Sequence, residues 1–271
     1  MQSHAVCLER VGVTYPNGVV ALESISLCLN RGEFAVVLGS SGAGKSTLLR
    51  TINHLHPPTQ GTVHVAELVG SLTQPQTLRR HRQQTGMIFQ QHHLLERHSA
   101  LQNVLMGRLA YHSFWRSLLP LPHRDQRIAL ACLDRVGLID SALTPVRQLS
   151  GGQQQRVGIA RALAQQPQLI LADEPIASLD PATAHQVLSL LHSICKTDGI
   201  TAVLSLHQVD FAKAYSDRII GLFQGRVVFD GPPSELAPQT LGTIYGGESS
   251  PASRSHRAGV REKTAQQDSM I

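Results

Sequence analysis

The sequence predicts an α/β protein: a parallel-sheet core, an antiparallel β-subdomain near its amino end, and an inserted α-helical subdomain. Three observations carry this. The apolar run Glu33-Phe-Ala-Val-Val-Leu38 leads into a glycine-rich loop and then helix formers, as a buried parallel strand does. A second apolar run, Leu169-Ile-Leu-Ala172, ends in paired carboxylates, Asp173 and Glu174. Between about residues 91 and 149 the texture changes to leucine-rich, helix-like segments separated by His, Arg and Gln.

Taken in order, residues 5–29 hold short β-rich runs (Val11-Gly-Val-Thr-Tyr15, Val19-Val20 and residues 25–29) broken by Pro16-Asn-Gly18 and Asn30-Arg-Gly32. That punctuation predicts antiparallel strands with tight turns. After the glycine loop, residues 46–55 have helical spacing until Pro57-Pro58 stops them. Residues 87–89 read as a strand, and residues 125–136 as a helix closed by Gly137. Further on, 182–195 reads as a helix, 200–206 as a strand, and 219–222 with 226–229 as a closing pair around Gln224-Gly225. The resulting domain spans 4–246, with core segments 4–90 and 150–246 and helical subdomain 91–149. Residues 247–271 turn to Ser, Arg, Gln and Lys with few apolar groups, and this basic tail is expected to be disordered.

With 271 residues, 42% of them hydrophobic, the chain can bury a sizeable core. The net charge of +5 is scattered and partly confined to the tail, so charge alone does not indicate nucleic acid. Cys7, Cys28, Cys132 and Cys195 lie far apart with no Cys-x-x-Cys spacing, and read as reduced, mostly buried thiols rather than a disulfide frame or zinc site. No signal peptide and no stretch of about 18–20 uninterrupted apolar residues is seen. If the chain works at a membrane, other subunits must bring it there.

Gly39-Ser40-Ser41-Gly42-Ala43-Gly44-Lys45-Ser46-Thr47, between strand and helix, fits a phosphate-binding loop. The glycines let successive N–H groups turn inward, and the helix adds its positive end. Lys45 is expected to reach the β- and γ-phosphates, and the Ser46 hydroxyl to ligate Mg²⁺. Asp173 could hold Mg²⁺ and Glu174 could orient and deprotonate water. His207, after the 200–206 strand, could sense a γ-phosphate, and Gln90, after 87–89, could reach metal and water; by themselves both residues also suit ordinary surface roles. Leu149-Ser150-Gly151-Gly152-Gln153 opens another helix, with Ser150 able to cap it and two glycines exposing N–H groups. One chain thus carries two phosphate-seeking elements. Either it binds two phosphates, or the second serves a partner's nucleotide.

The set 39–47, Gln90, 149–153, 169–174, Ser178-Leu-Asp180 and His207 resembles the nucleotide-binding subunit of an ATP-binding-cassette (ABC) transporter, in order over about residues 4–246. The resemblance implies a P-loop NTPase (RecA-like) core and ATP with Mg²⁺ as cofactors. It makes Tyr15 the adenine-stacking aromatic, Gln90 the Q-loop glutamine, Glu174 the catalytic base and His207 the switch histidine. Ser150, Gly151, Gly152, Gln153 and Asp180 would act in trans on the opposite subunit's ATP, and Ser46, Gln90 and Asp173 would surround the metal. None of these positions is substituted. A narrower set (173–180, 206–210, Gly107-Arg-Leu, Phe114-Trp115-Arg-Ser117, 218–221, 225–231 and Ile244-Tyr-Gly246) is similar to the phosphonate-import branch. This narrower resemblance implies a homodimer of ATPase subunits at the cytoplasmic face of a bacterial inner membrane, joined to two permease subunits, fed by a periplasmic phosphonate-binding protein, and without nucleic acid. Import of phosphite, phosphate or polar amino acids would use the same ATPase. A soluble ABC ATPase acting on nucleic acid is the more distant alternative. Residues 107–122 fall where the family's helical subdomain meets the permeases, so Phe114 and Trp115 either dock a partner or pack the subdomain. His92-His93 replaces a more usual aromatic–Asn pair and is no ligand set by itself.

Overall fold

The computed structural model describes residues 4–65, 71–90, 93–112 and 121–246. His92, the Phe114-Trp115 segment and the tail beyond Gly246 lie outside these residues. Strands β1 (His4–Thr14) and β2 (Val20–Asn30) are longer than the short runs the sequence suggested. Register shifts interrupt their pairing, and Arg10 and Ser24 adopt positive φ (47° and 51°), so bulges break the alternation from which strands are read. With β4 (Gln60–Val65) they form an antiparallel sheet in the order β2-β1-β4. Gly61 permits the closest approach there, since a Cβ on it would sit 2.3 Å from the Arg10 carbonyl.

One expectation is corrected in this sheet. Cys7 and Cys28 are directly opposite in the β1–β2 register, with Cα atoms 4.1 Å apart, and form a disulfide. The sequence lacked a Cys-x-x-Cys signal because strand pairing, not local spacing, unites them. His4 lies beside the two sulfurs, but with both spent in the bond the three residues make no ligand set. Cys132 and Cys195 remain buried free thiols, and burial pushes them up to about 11 and about 12.

The central sheet runs β5 (Thr85–Ile88), β6 (Leu169–Asp173), β7 (Thr201–Leu206), β3 (Phe34–Leu38), β8 (Arg218–Phe223), β9 (Arg226–Gly231), parallel except for β9 against β8. Strand alternation gives it two faces. On one, Ala35, Val37, Leu171 and Val203 pack with Leu48, Leu49 and Ile52 of helix α1 (Lys45–Ile52) and the inner side of the antiparallel sheet. On the other, Phe34, Val36, Ile170 and Leu204 pack with the remaining main helices. These include α3 (Ala100–Leu105), α4 (His123–Arg135), α5 (Gly151–Ala164) and α6 (Pro181–Asp198), while α2 (Pro75–Gln84) precedes β5. Two short helices, α7 (Val209–Tyr215) and α8 (Pro238–Tyr245), complete the described chain. Among the described residues no helix is long and apolar enough to cross a membrane.

The inserted helices are tied to the core by a buried ionic knot. Arg108 donates Nε–H to Asp125 Oδ1 (2.9 Å) and Nη1–H to the Ala164 carbonyl (2.9 Å) at the end of α5, and His112 Nε2 meets Asp125 Oδ2 at 2.7 Å. Gly107 is required beside it, because a Cβ there would lie 2.3 Å from the Arg161 carbonyl. Burial alone would raise the Asp125 carboxyl, but the hydrogen bonds from Arg108 and His112 outweigh it and hold it below its ordinary range.

Candidate nucleotide site

The loop between β3 and α1 is shaped by what surrounds its backbone. A Cβ on Gly39 would come 2.6 Å from the Leu222 carbonyl, and Gly44 turns at φ 107° with the Ala21 carbonyl 2.6 Å from where a Cβ would stand. Any other residue would displace the loop, so these two glycines are dictated by the fold. Ser40 and Ala43 close the turn through Ala43 N–H to the Ser40 carbonyl (3.2 Å), and Ser41 and Gly42 form its exposed tip.

Lys45 is only 4% exposed, and its Nζ donates to the carbonyls of Gly39 (2.8 Å) and Ser40 (3.1 Å). Burial pulls its ammonium below the ordinary value, against the raising pull of Glu174 and Asp173. A buried cation at a helix start is the kind of group that can take an anion in place of those carbonyls. Next to it, Ser46 Oγ–H donates to Asp173 Oδ1 at 2.8 Å. A hydroxyl and a carboxylate converging this closely are hard oxygen donors of the kind Mg²⁺ takes, so the residues fit that ion. Thr47 Oγ1 meets the Tyr15 hydroxyl at 3.0 Å, which seats the half-buried Tyr15 ring beside the start of α1, with His56 edge-on to it.

Glu174 follows β6 with φ 48°, a left-handed conformation uncommon outside glycine and concentrated at functional sites. Its N–H donates to Ser205 Oγ (2.9 Å), whose own O–H donates to Asp173 Oδ1 (2.9 Å). The Glu174 carboxylate meets His207 Nε2 at 2.6 Å. Gln90 is exposed two residues beyond Ile88, which pairs with Ala172 of β6, so it stands alongside the Asp173–Glu174 end of the neighbouring strand.

The carboxyl ends of β3, β6 and β7 thus bring together Lys45, Ser46, Asp173, Glu174 and His207 from widely separated stretches. Ser150, Gly151, Gly152, Gln153 and Asp180 stand apart from them. They begin α5 and α6, which pack on the opposite face of the central sheet from α1. Ser150 caps α5 by a reciprocal box, Gln153 N–H to Ser150 Oγ (3.3 Å) and Ser150 N–H to Gln153 Oε1 (2.8 Å). Ser150 and Gly151 are exposed, whereas Gly152 packs against α6, where a Cβ would lie 2.5 Å from Thr183 Cγ2. The exposed Asp180 caps α6 by accepting from Ala182 N–H (3.1 Å) and Thr183 N–H (3.0 Å), and the bonds from Thr183 hold its carboxyl low. Sequence reasoning missed Ser205, although a polar residue near the carboxyl end of a buried, mostly apolar strand was its signal. It also missed Arg50, whose guanidinium is 3.9 Å from Asp173 Oδ2; one α-helical turn beyond Ser46, it could have been placed beside it.

A strand–glycine loop–helix unit whose Lys and Ser face a carboxylate pair on a parallel sheet defines a P-loop nucleoside triphosphatase. Comparisons with known proteins agree and narrow the class. The ABC transporter family model matches residues 22–177. The phosphonates import ATP-binding protein PhnC 1 of Trichodesmium erythraeum is 64% identical over 240 residues, covering 89% of this chain and 95% of that one. The phosphite import ATP-binding protein PxtA of Stutzerimonas stutzeri is 59% identical over 249 residues, covering 92% and 90%. A solved dimeric ATP-binding cassette in a post-hydrolysis state, bound to ADP and Pi, superposes with a TM-score of 0.74 at 35% identity over 84% of this chain and 98% of that one. The chain belongs to the ABC transporter family.

Proposed function

We propose that the chain is the ATP-hydrolysing subunit of an ABC importer of phosphonates, docked on permease subunits at the cytoplasmic face of the inner membrane. The convergence of Lys45, Ser46, Asp173, Glu174 and His207 on one edge of the sheet carries the catalytic part. The names of relatives such as the Trichodesmium protein support the cargo.

In this reading the domain runs over 4–246, with 91–149 as its helical insertion. Residues 39–47 wrap the triphosphate, Lys45 neutralises its outer phosphates, and Tyr15 stacks on adenine. Ser46 and Asp173, with Gln90 at the rim, would hold Mg²⁺, which when bound neutralises charge developing on the phosphates. Glu174 takes the proton of the attacking water, and His207, already hydrogen-bonded to Glu174, steadies it and faces the γ-phosphate. Two copies close head to tail, so that Ser150, Gly151, Gly152, Gln153 and Asp180 of one complete the site of the other; a dimeric cassette among the structural neighbours supports this arrangement. Closure drives the permeases and hydrolysis resets them.

Glu174→Gln tests the assignment. It should bind ATP but lose about 10²–10⁴-fold in turnover, accumulating a closed, ATP-loaded dimer. Turnover near wild type would remove Glu174 from the role of base. Phosphite is the second reading of the cargo, favoured by the Stutzerimonas relative. Deleting the gene should abolish growth on a phosphonate as sole phosphorus source under the first reading, and on phosphite alone under the second.

A further inference from the structure

We propose that Tyr245, at the end of α8, is a positioning residue for His207 and thereby couples the carboxyl-terminal helix to hydrolysis. Its hydroxyl donates to the main-chain carbonyl of His207 at 2.9 Å, while the same residue's imidazole meets Glu174 at 2.6 Å. The path from α8 to the base is therefore two hydrogen bonds long. His207 needs such a hold. It lies just past β7, and Gln208, the N-cap of α7, makes no side-chain cap, so the turn receives no capping bond from that side. Side-chain exposure of 39% leaves His207 little packing to fix it.

Tyr245, by contrast, is anchored from below. Its neighbour Ile244 is fully buried against Gly221 of β8, where a Cβ would come 2.6 Å from Ile244 Cδ1. Gly246 closes α8 in a left-handed C-cap at φ 75°, with the Phe223 ring against it. A helix keyed into β8 through Ile244 thus carries the partly exposed Tyr245 side chain to the end of β7, where its hydroxyl is fixed on the His207 carbonyl. This gives the Ile244-Tyr-Gly246 motif a function: Ile244 locks, Tyr245 reaches and Gly246 stops the helix. Movement of α8, or of whatever binds beyond it, would shift the His207 main chain and misalign the imidazole on Glu174.

This inference rests on the assignment of Glu174 and His207 above, and the test separates the two. Tyr245→Phe in the full-length chain keeps the ring and deletes one neutral hydrogen bond, so kcat for ATP should fall about three- to tenfold. KM for ATP should stay within about twofold, because a ground-state binding role would move it instead, and the thermal midpoint should fall by no more than a few degrees, the loss of one hydrogen bond. In a His207→Ala background, adding Tyr245→Phe should leave residual single-turnover hydrolysis unchanged, since the hydroxyl acts only through the imidazole. If Glu174→Gln is inactive but Tyr245→Phe has wild-type kcat, or if its effect persists undiminished without the imidazole, this inference is overturned while the assignment of the base stands. If Glu174→Gln itself retains turnover, both fall.

Discussion

The two phosphate-seeking elements of this chain, the 39–47 loop and the start of α5, are built alike and finished differently. Both place glycines and N–H groups at a helix start. The loop, however, is furnished by its own chain: Lys45 is buried among loop carbonyls, Ser46 is bonded to Asp173, and Glu174 and His207 are adjacent. At the start of α5, Ser150 and Gln153 cap each other, Ser150 and Gly151 face outward, and the helix packs on the face of the sheet opposite α1. In the proposed reading one is a site and the other is half of one. Anion-binding geometry alone therefore does not tell where a nucleotide is turned over; the surrounding charges do.

The sharpest way to break this contrast is to disable each element separately. Lys45→Ala should lower nucleotide affinity of the isolated chain by at least about tenfold, through loss of a charge-assisted contact. Ser150→Asp should leave that affinity within about twofold, since Asp also caps a helix. Its carboxylate would nonetheless repel a partner's phosphates, so ATPase activity should collapse. Equal losses of single-chain affinity in the two variants, measured by calorimetry, would erase the distinction.

A smaller effect probes the helices that pack beside α5. Arg108→Ala leaves the Asp125 carboxylate buried beside His112 alone and should cost about 3–5 kcal/mol of stability near neutral pH. Because Asp125 is held low in the folded chain, its contribution is present above the ordinary carboxylate range near pH ~3.9 and is lost as pH falls through its depressed value. Denaturant unfolding of the two proteins should therefore converge at strongly acidic pH. A gap that is constant with pH would deny the ionic knot its role.

Much of the candidate nucleotide site was legible because its residues lie in contiguous motifs. The strand, glycine loop and helix are contiguous, and Asp173-Glu174 closes an apolar strand. Much of what escaped reading was made by strand pairing. Ser205 matters because β7 lies beside β6, and Cys7 meets Cys28 only through the β1–β2 register. Bulges at Arg10 and Ser24 hid the true length of β1 and β2. The Arg108–Asp125–His112 knot likewise joins residues whose separate positions carry no common pattern.

Mixing the two disabled variants tests the central claim most directly. Lys45→Ala and Ser150→Asp chains are each expected to be inactive alone. If one site is shared between two copies, an equal mixture forms mixed dimers in which the intact loop of one faces the intact α5 start of the other. Measured ATPase activity should then return to roughly a quarter of wild type, half the dimers having one of two sites restored. A mixture as inactive as either variant alone would contradict the shared site.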